Sequence, residues 1–84
     1  MKNMVIVEIG EHEIVVRFRI TSPAEFDHKV RCLKTAIPEA RGDILRRCHV
    51  IPRSAFNDNA SLTFCYTHFP ADCVFVIIAL PTAA

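Results

Sequence analysis

Two early stretches alternate apolar and polar positions with the two-residue period of a strand: Met4-Val-Ile-Val-Glu-Ile9 and His12-Glu-Ile-Val-Val-Arg-Phe-Arg-Ile20. Gly10-Glu11 between them suits a tight turn with Gly first, so a hairpin is expected. That turn pairs Val7 with Ile14, Val5 with Val16 and Asn3 with Phe18. It places Val5, Val7, Ile9, Ile14, Val16, Phe18 and Ile20 on one face. Met4, Ile6, Val15, Arg17 and Arg19 take the other face, with Glu8 opposite Glu13.

The period then lengthens. Ser22 can cap a helix, Pro23 suits its first position, and Glu25 stands where a capping box closes. The helix should run to about Ile37 and stop at Pro38. Phe26, Val30, Leu33 and Ile37 form its apolar stripe, while Asp27, His28, Arg31 and Lys34 point away. If buried, Phe26 should contribute about 3–5 kcal/mol against Ala.

Gly42-Asp43 reads as a turn. Ile44–Ile51 reads as a strand ended by Pro52, 54–59 as a turn or one helical turn, and Ser61–His68 as a strand. A loop at Pro70-Ala71 would join it to Cys73-Val-Phe-Val-Ile-Ile-Ala-Leu80, pairing His68 with Cys73, Tyr66 with Phe75 and Phe64 with Ile77. This last stretch is uncharged, rich in β-branched residues and followed by Pro81. Being apolar at consecutive positions, it needs cover on both faces and is expected at the centre of the sheet. The fold expected is α+β: one domain over 1–84, an antiparallel sheet of about five strands with one helix packed on one face, in the order ββαβββ. One helix covers one face, so either the sheet curls or a second molecule, such as another copy in a homodimer, covers the rest.

Composition supports a packed body: 51% of the 84 residues are hydrophobic and only two are Gly. No segment approaches the ~20 apolar residues of a membrane span, and Glu8 and Gly10 interrupt any leader-like run. Cys32, Cys48, Cys65 and Cys73 are read as reduced thiols, which goes with a cytoplasmic expectation. The net charge of +1 conceals a division. Residues 14–53 carry nine Lys/Arg against four acids, whereas 1–13 and 54–84 are each net negative. Arg41, Arg46, Arg47 and Arg53 gather along one stretch, and Arg17 and Arg19 share a strand face. These six are the candidate partner-binding or nucleic-acid-binding residues, because clustered cations hold phosphates or acidic surfaces.

Catalytic and metal chemistry are weaker readings. His49, His68, Tyr66, Asp43 and Arg46-Arg47 are acid–base candidates scattered over three elements. Cys65-x2-His68-x4-Cys73 lacks the paired cysteine spacing of structural zinc, and alternation separates Cys65 from His68. His28 and Cys32 lie one helical turn apart. No enzyme activity, cofactor or metal is expected.

Leu33-Lys34, then Ala36-Ile37-Pro38-Glu39-Ala40-Arg41-Gly42-Asp43, then Arg47 and Val50-Ile51-Pro52-Arg53-Ser54-Ala55 resemble the HARP-like domain in order and spacing, over residues 13–56. Gly42 stands where that pattern has its first Trp, and Cys48 or His49 near its second. The resemblance implies a module that helps bind forked DNA, with Arg41, Arg47 and Arg53 facing it. The favoured function is different: a small adaptor or inhibitor that docks on a macromolecular partner, a protein. Small phage and mobile-element proteins, anti-CRISPR proteins among them, are often of this size and build. Nucleic-acid binding through the basic 41–53 stretch is the alternative.

Overall fold

A computed structural model describes residues 2–79. Its elements are β1 (Met4–Ile9), β2 (Glu13–Arg19), α1 (Pro23–Ala36), β3 (Arg41–Asp43), β4 (Cys48–Pro52), α2 (Ala55–His68), a 3-10 turn at Ala71–Cys73, and β5 (Val74–Ile78). The sheet runs β3-β4-β2-β1-β5. All neighbours are antiparallel except β5, which lies parallel to β1. The fold is α+β as expected, but it has two helices and a mixed sheet in the order ββαββαβ.

The first hairpin forms with its faces as expected and its register moved by two residues. Ile9 pairs with Ile14, Val7 with Val16 and Val5 with Phe18. The turn is wider than two residues: the Gly10 N–H donates to the Glu13 carbonyl at 2.9 Å. An even shift keeps every side chain on its face. It also moves Glu8 opposite Val15 rather than Glu13.

The first helix starts as its caps require. The Ser22 hydroxyl accepts from the Glu25 N–H at 3.3 Å, with Pro23 in the first turn. Leu33 and Ile37 are fully buried, but Phe26 remains 37% exposed and meets Phe18 edge-on at 6.1 Å between ring centres.

Residues 61–68 are not a strand. They complete α2, which is capped by Ser54, whose hydroxyl accepts from the Asn57 N–H at 2.9 Å. Its inward stripe is Asn57, Ser61, Phe64 and Cys65, spaced as one helical face. Two of these four are polar. The apolar residues of Leu62-Thr-Phe-Cys-Tyr66 therefore read as an alternating strand, while the true helical face was hidden. Asn57 is satisfied: its amide donates to the Pro52 carbonyl at 2.9 Å and to Glu39 Oε1 at 3.1 Å. The buried Ser61 hydroxyl finds no partner among the described residues.

Because 61–68 are helical, the expected final hairpin does not exist. The chain returns through Ala71–Cys73 and lays β5 against β1, pairing Val5 with Val74, Val7 with Val76 and Ile9 with Ile78. The stretch expected at the centre of the sheet is thus at its edge. Of its described residues only Cys73 and Val74, at its start, are buried. Leu80 and Pro81, also part of that expectation, lie outside the described residues. The expected 44–51 strand is likewise corrected. Residues 41–43 and 48–52 are the paired strands, and Ile44–Arg47 is the turn between them.

Both helices lie on the face that carries Val5, Val7, Ile14, Val16 and Ile51, which form the core with Leu33, Ile37, Phe64, Cys65 and Phe69. Phe18 ties this layer together. Its ring stacks on Phe69 (6.0 Å), meets Phe64 (6.2 Å) and Phe26 edge-on, and tilts against His49 at 5.8 Å. Phe18→Ala should therefore cost about 3–5 kcal/mol in chemical denaturation, and the less buried Phe26→Ala under about 2 kcal/mol. Ser61→Ala should be neutral or stabilising by up to about 1 kcal/mol in the same measurement, since it removes a buried hydroxyl without a hydrogen-bond partner among the described residues.

Candidate interaction surface

Strand alternation puts the residues between the core positions on the opposite face of the sheet, away from the helices. The registers assemble that face row by row. Arg41 stands beside Val50, Val50 beside Val15, Val15 beside Glu8, and Glu8 beside Ile77. In the next row Arg17 stands beside Ile6 and Ile6 beside Phe75; in the one beyond, Arg19 stands beside Met4. The result is a sheet face with an apolar half toward β5 (Met4, Ile6, Phe75, Ile77) and a basic half toward β2 and β3 (Arg17, Arg19, Arg41).

The six candidate arginines separate into two groups. Arg53 is structural. Its Nε and Nη2 donate to the two Asp58 carboxylate oxygens at 2.8 and 2.7 Å, and its Nη1 donates to the Gly10 carbonyl. It therefore clamps the first turn of α2 to the β1–β2 turn, and its guanidinium holds Asp58 below the usual carboxylate range. Arg46 is also engaged: its Nη2 donates to Glu13 Oε2 at 2.8 Å and its backbone N–H to Asp43 Oδ1 at 3.1 Å. Arg17 donates to Glu8 Oε2 at 3.3 Å, an ion pair across the open face. Arg19, Arg41 and Arg47 form no ion pair among the described residues and are exposed. Of the three arginines carried by the HARP-like resemblance, Arg53 is thus turned inward, and Arg41 and Arg47 face solvent.

A second feature was not legible in the sequence. The β3–β4 turn lifts Ile44 and Leu45 into solvent, 91% and 96% exposed, and Arg47 closes it with a positive φ of 53°. Beneath the turn a groove of about 480 Å³ is lined by Phe18, Phe26, Ile44, Arg47 and His49, with Asp43 at its rim. Three of the acid–base candidates therefore meet here. However, Asp43 is directed at Arg46 and His49 is tilted against Phe18, so no proton relay is formed. His68 and Tyr66 are on α2, far along the chain from that groove's lining.

The cysteine and histidine candidates are absorbed by packing. Cys65 is in the core, and burial pushes its thiol up to about 12. His68 lies against Phe64 at 4.5 Å between ring centres, and His28 Nε2 is 3.7 Å from Cys32 Sγ. No group of three or more His, Cys, Asp or Glu side chains is gathered as a metal site among the described residues. All four cysteines are free thiols. No described helix is long and apolar enough to cross a membrane.

Comparison with known protein families, characterised proteins and solved structures yields no match to this chain. The surface must therefore be read from its own chemistry.

His49 provides a check on the groove. Burial, and secondarily the Lys34 charge, holds its pKa below the ordinary 6.5. The unfolded chain then binds a proton that the folded chain resists. Stability is full above about 6.5 and is lost as pH falls through the depressed folded value. Urea midpoints should drop between about pH 7.5 and pH 5.5, and His49→Gln should flatten the drop. His68, also depressed by burial and then by Lys29 and His28, supplies the slope that remains.

Proposed function

We propose that this chain is a small non-enzymatic interaction protein, an adaptor or inhibitor, that docks on a protein partner through the uncovered face of its sheet. The observation that carries the reading is the division of that face into an apolar half and a basic half, with both helices on the other side. Ile6, Phe75 and Ile77 supply desolvation, and Arg17, Arg19 and Arg41 supply charge. The complementary surface is an apolar ridge flanked by carboxylates. Glu8 beside Arg17 keeps the seam between the two halves neutral.

A nucleic-acid partner is the second reading. It has in its favour the three arginines Arg19, Arg41 and Arg47, which form no ion pair among the described residues, and against it the commitment of Arg53 and Arg46 to Asp58 and Glu13. The two readings separate by salt and by position. Affinity capture from the native host should retain a partner with the parent chain and with the helix-side variant Phe56→Asp. Ile6→Asp, at the centre of the open face, should weaken that capture at least about tenfold. If forked or single-stranded DNA binds instead, with a steep salt dependence lost in Arg41→Glu/Arg47→Glu, the protein-docking reading is replaced.

A further inference from the structure

Edge strands are normally blunted by charge, proline, a bulge or brevity. The two edges of this sheet differ in that respect. β3 is three residues long and carries Arg41, Gly42 and Asp43. β5 has five residues, Val-Phe-Val-Ile-Ile, with no charge, no proline and no irregular pairing. Among the described residues nothing pairs with its outer side. Nor is it covered above or below. Phe75 and Ile77 on the open face are 46% and 48% exposed, and Val76 and Ile78 on the helix face are 39% and 61% exposed. The helices stop short of it.

The direction of its backbone can be read from the ladder with β1. Ala79 donates its N–H to the Ile9 carbonyl at 2.8 Å, so it points inward. Along a strand the N–H and C=O groups of successive residues point to opposite sides. Phe75 and Ile77 therefore also point toward β1. Val76 and Ile78 present both their N–H and C=O groups outward, and Val74 its C=O, with no partner among the described residues; the Val74 N–H is taken by the Ala71 carbonyl of the preceding 3-10 turn.

We propose that β5 pairs antiparallel with β5 of a second copy of this chain, about a two-fold axis at Val76, joining two sheets into one. The register follows from the outward groups. Val76 faces the second copy's Val76 as a doubly hydrogen-bonded pair, and Val74 faces its Ile78, whose N–H donates to the Val74 carbonyl while the Val74 N–H stays with Ala71. The outward donors of Val76 and Ile78 and the outward acceptors of Val74 and Val76 are then used. Phe75 falls opposite the second copy's Ile77 as a non-hydrogen-bonded pair, the closer kind, and an aromatic–β-branched contact of the kind sheets favour. Matching parity keeps the two open faces on the same side, and the two helix layers together on the other.

Charge permits this arrangement. The strand itself is neutral. The charged pair at its start, Lys2 Nζ to Asp72 Oδ2 at 3.2 Å, is closed on itself and comes beside the uncharged end of the opposite strand. The rows across the junction read Glu8, Ile77, Phe75, Ile6, so the two Glu8 carboxylates are held apart and each keeps its own Arg17. Pairing β5 with β3 of another copy would instead set apolar residues against Arg41 and Asp43, and would leave free edges to propagate a filament. The two-fold pairing closes.

The area sets the strength. The exposed parts of Phe75, Val76, Ile77 and Ile78 amount to something on the order of 400 Å² per copy, of which edge pairing buries only the part that faces the second strand, well below the ~800 Å² per partner of a standard stable interface. The dimer should therefore be reversible, with a dissociation constant on the order of 10–100 µM. This goes beyond the docking reading, because the pairing extends the open face without covering it.

Sedimentation velocity from about 1 µM to 1 mM tests it. The mass should rise from 9.5 kDa toward twice that value. Val76→Pro removes an outward N–H and leaves the inward donors of Phe75 and Ile77 untouched. It should weaken association at least about tenfold while the thermal midpoint stays within a few degrees. Ile77→Lys, which leaves the backbone intact, should weaken association similarly and serves if the proline variant does not fold. In oxidising buffer Val76→Cys should form a disulfide-linked dimer more readily than Phe75→Cys, whose thiol faces residue 77 of the other copy. A monomer throughout the range, as when an extended segment of another protein takes the edge, would overturn the proposal. So would a dimer that survives both Val76→Pro and Ile77→Lys. Neither result bears on capture of a partner by the open face, which Ile6→Asp reports separately.

Discussion

Phe18 is the contact on which the architecture depends. It stands on the helix side of β2, and through it the sheet grips α1 at Phe26, the α2 region at Phe64 and Phe69, and β4 at His49. The rings meet edge-on, stacked or tilted, geometries that favour aromatic pairs beyond their buried area. Two helices anchored at one point over β2 cover the middle strands. They reach neither the far side of the sheet nor the full length of β5.

That one-sided cover explains most of the surface. A chain of 84 residues has material for one core. Here it is spent on a single interface between sheet and helices. The leftover apolar residues then fall where no second layer exists: half-buried Ile6 with exposed Phe75 and Ile77 on the open face, Val76 and Ile78 at the margin, Ile44 and Leu45 at the turn. The part beside β5, where Ile6, Phe75 and Ile77 stand side by side, is the contiguous exposed apolar area that marks contact surfaces; Ile44 and Leu45 lie apart from it at the opposite edge of the sheet.

Charge is arranged to support the fold first. Arg53 bridges α2 and the first turn, Arg46 ties the β3–β4 turn to Glu13, and Arg17 pairs with Glu8 across the hairpin. A basic stretch in the chain is therefore not a basic patch in space. What remains available, Arg19 and Arg41 on the open face and Arg47 at the turn, is a smaller set than the sequence offers.

Local signals were legible in the chain. The alternation of 4–9 and 13–19 determined a hairpin and which side chains share a face. Ser22, Pro23 and Pro38 bounded the first helix. These depend on neighbours within a few residues. The second helix was not legible, because its inward face includes Asn57 and Ser61. The polar identity of those two residues makes sense only once Pro52, Glu39 and the packed sheet are around them. The place of β5 was decided by the tertiary structure alone. An apolar run states that it wants cover, but only the reach of the helices and the return of the chain from His68 determine whether it receives any. The open face was written into the period of the early strands, whereas the exposed edge beside it arose from how far two short helices extend.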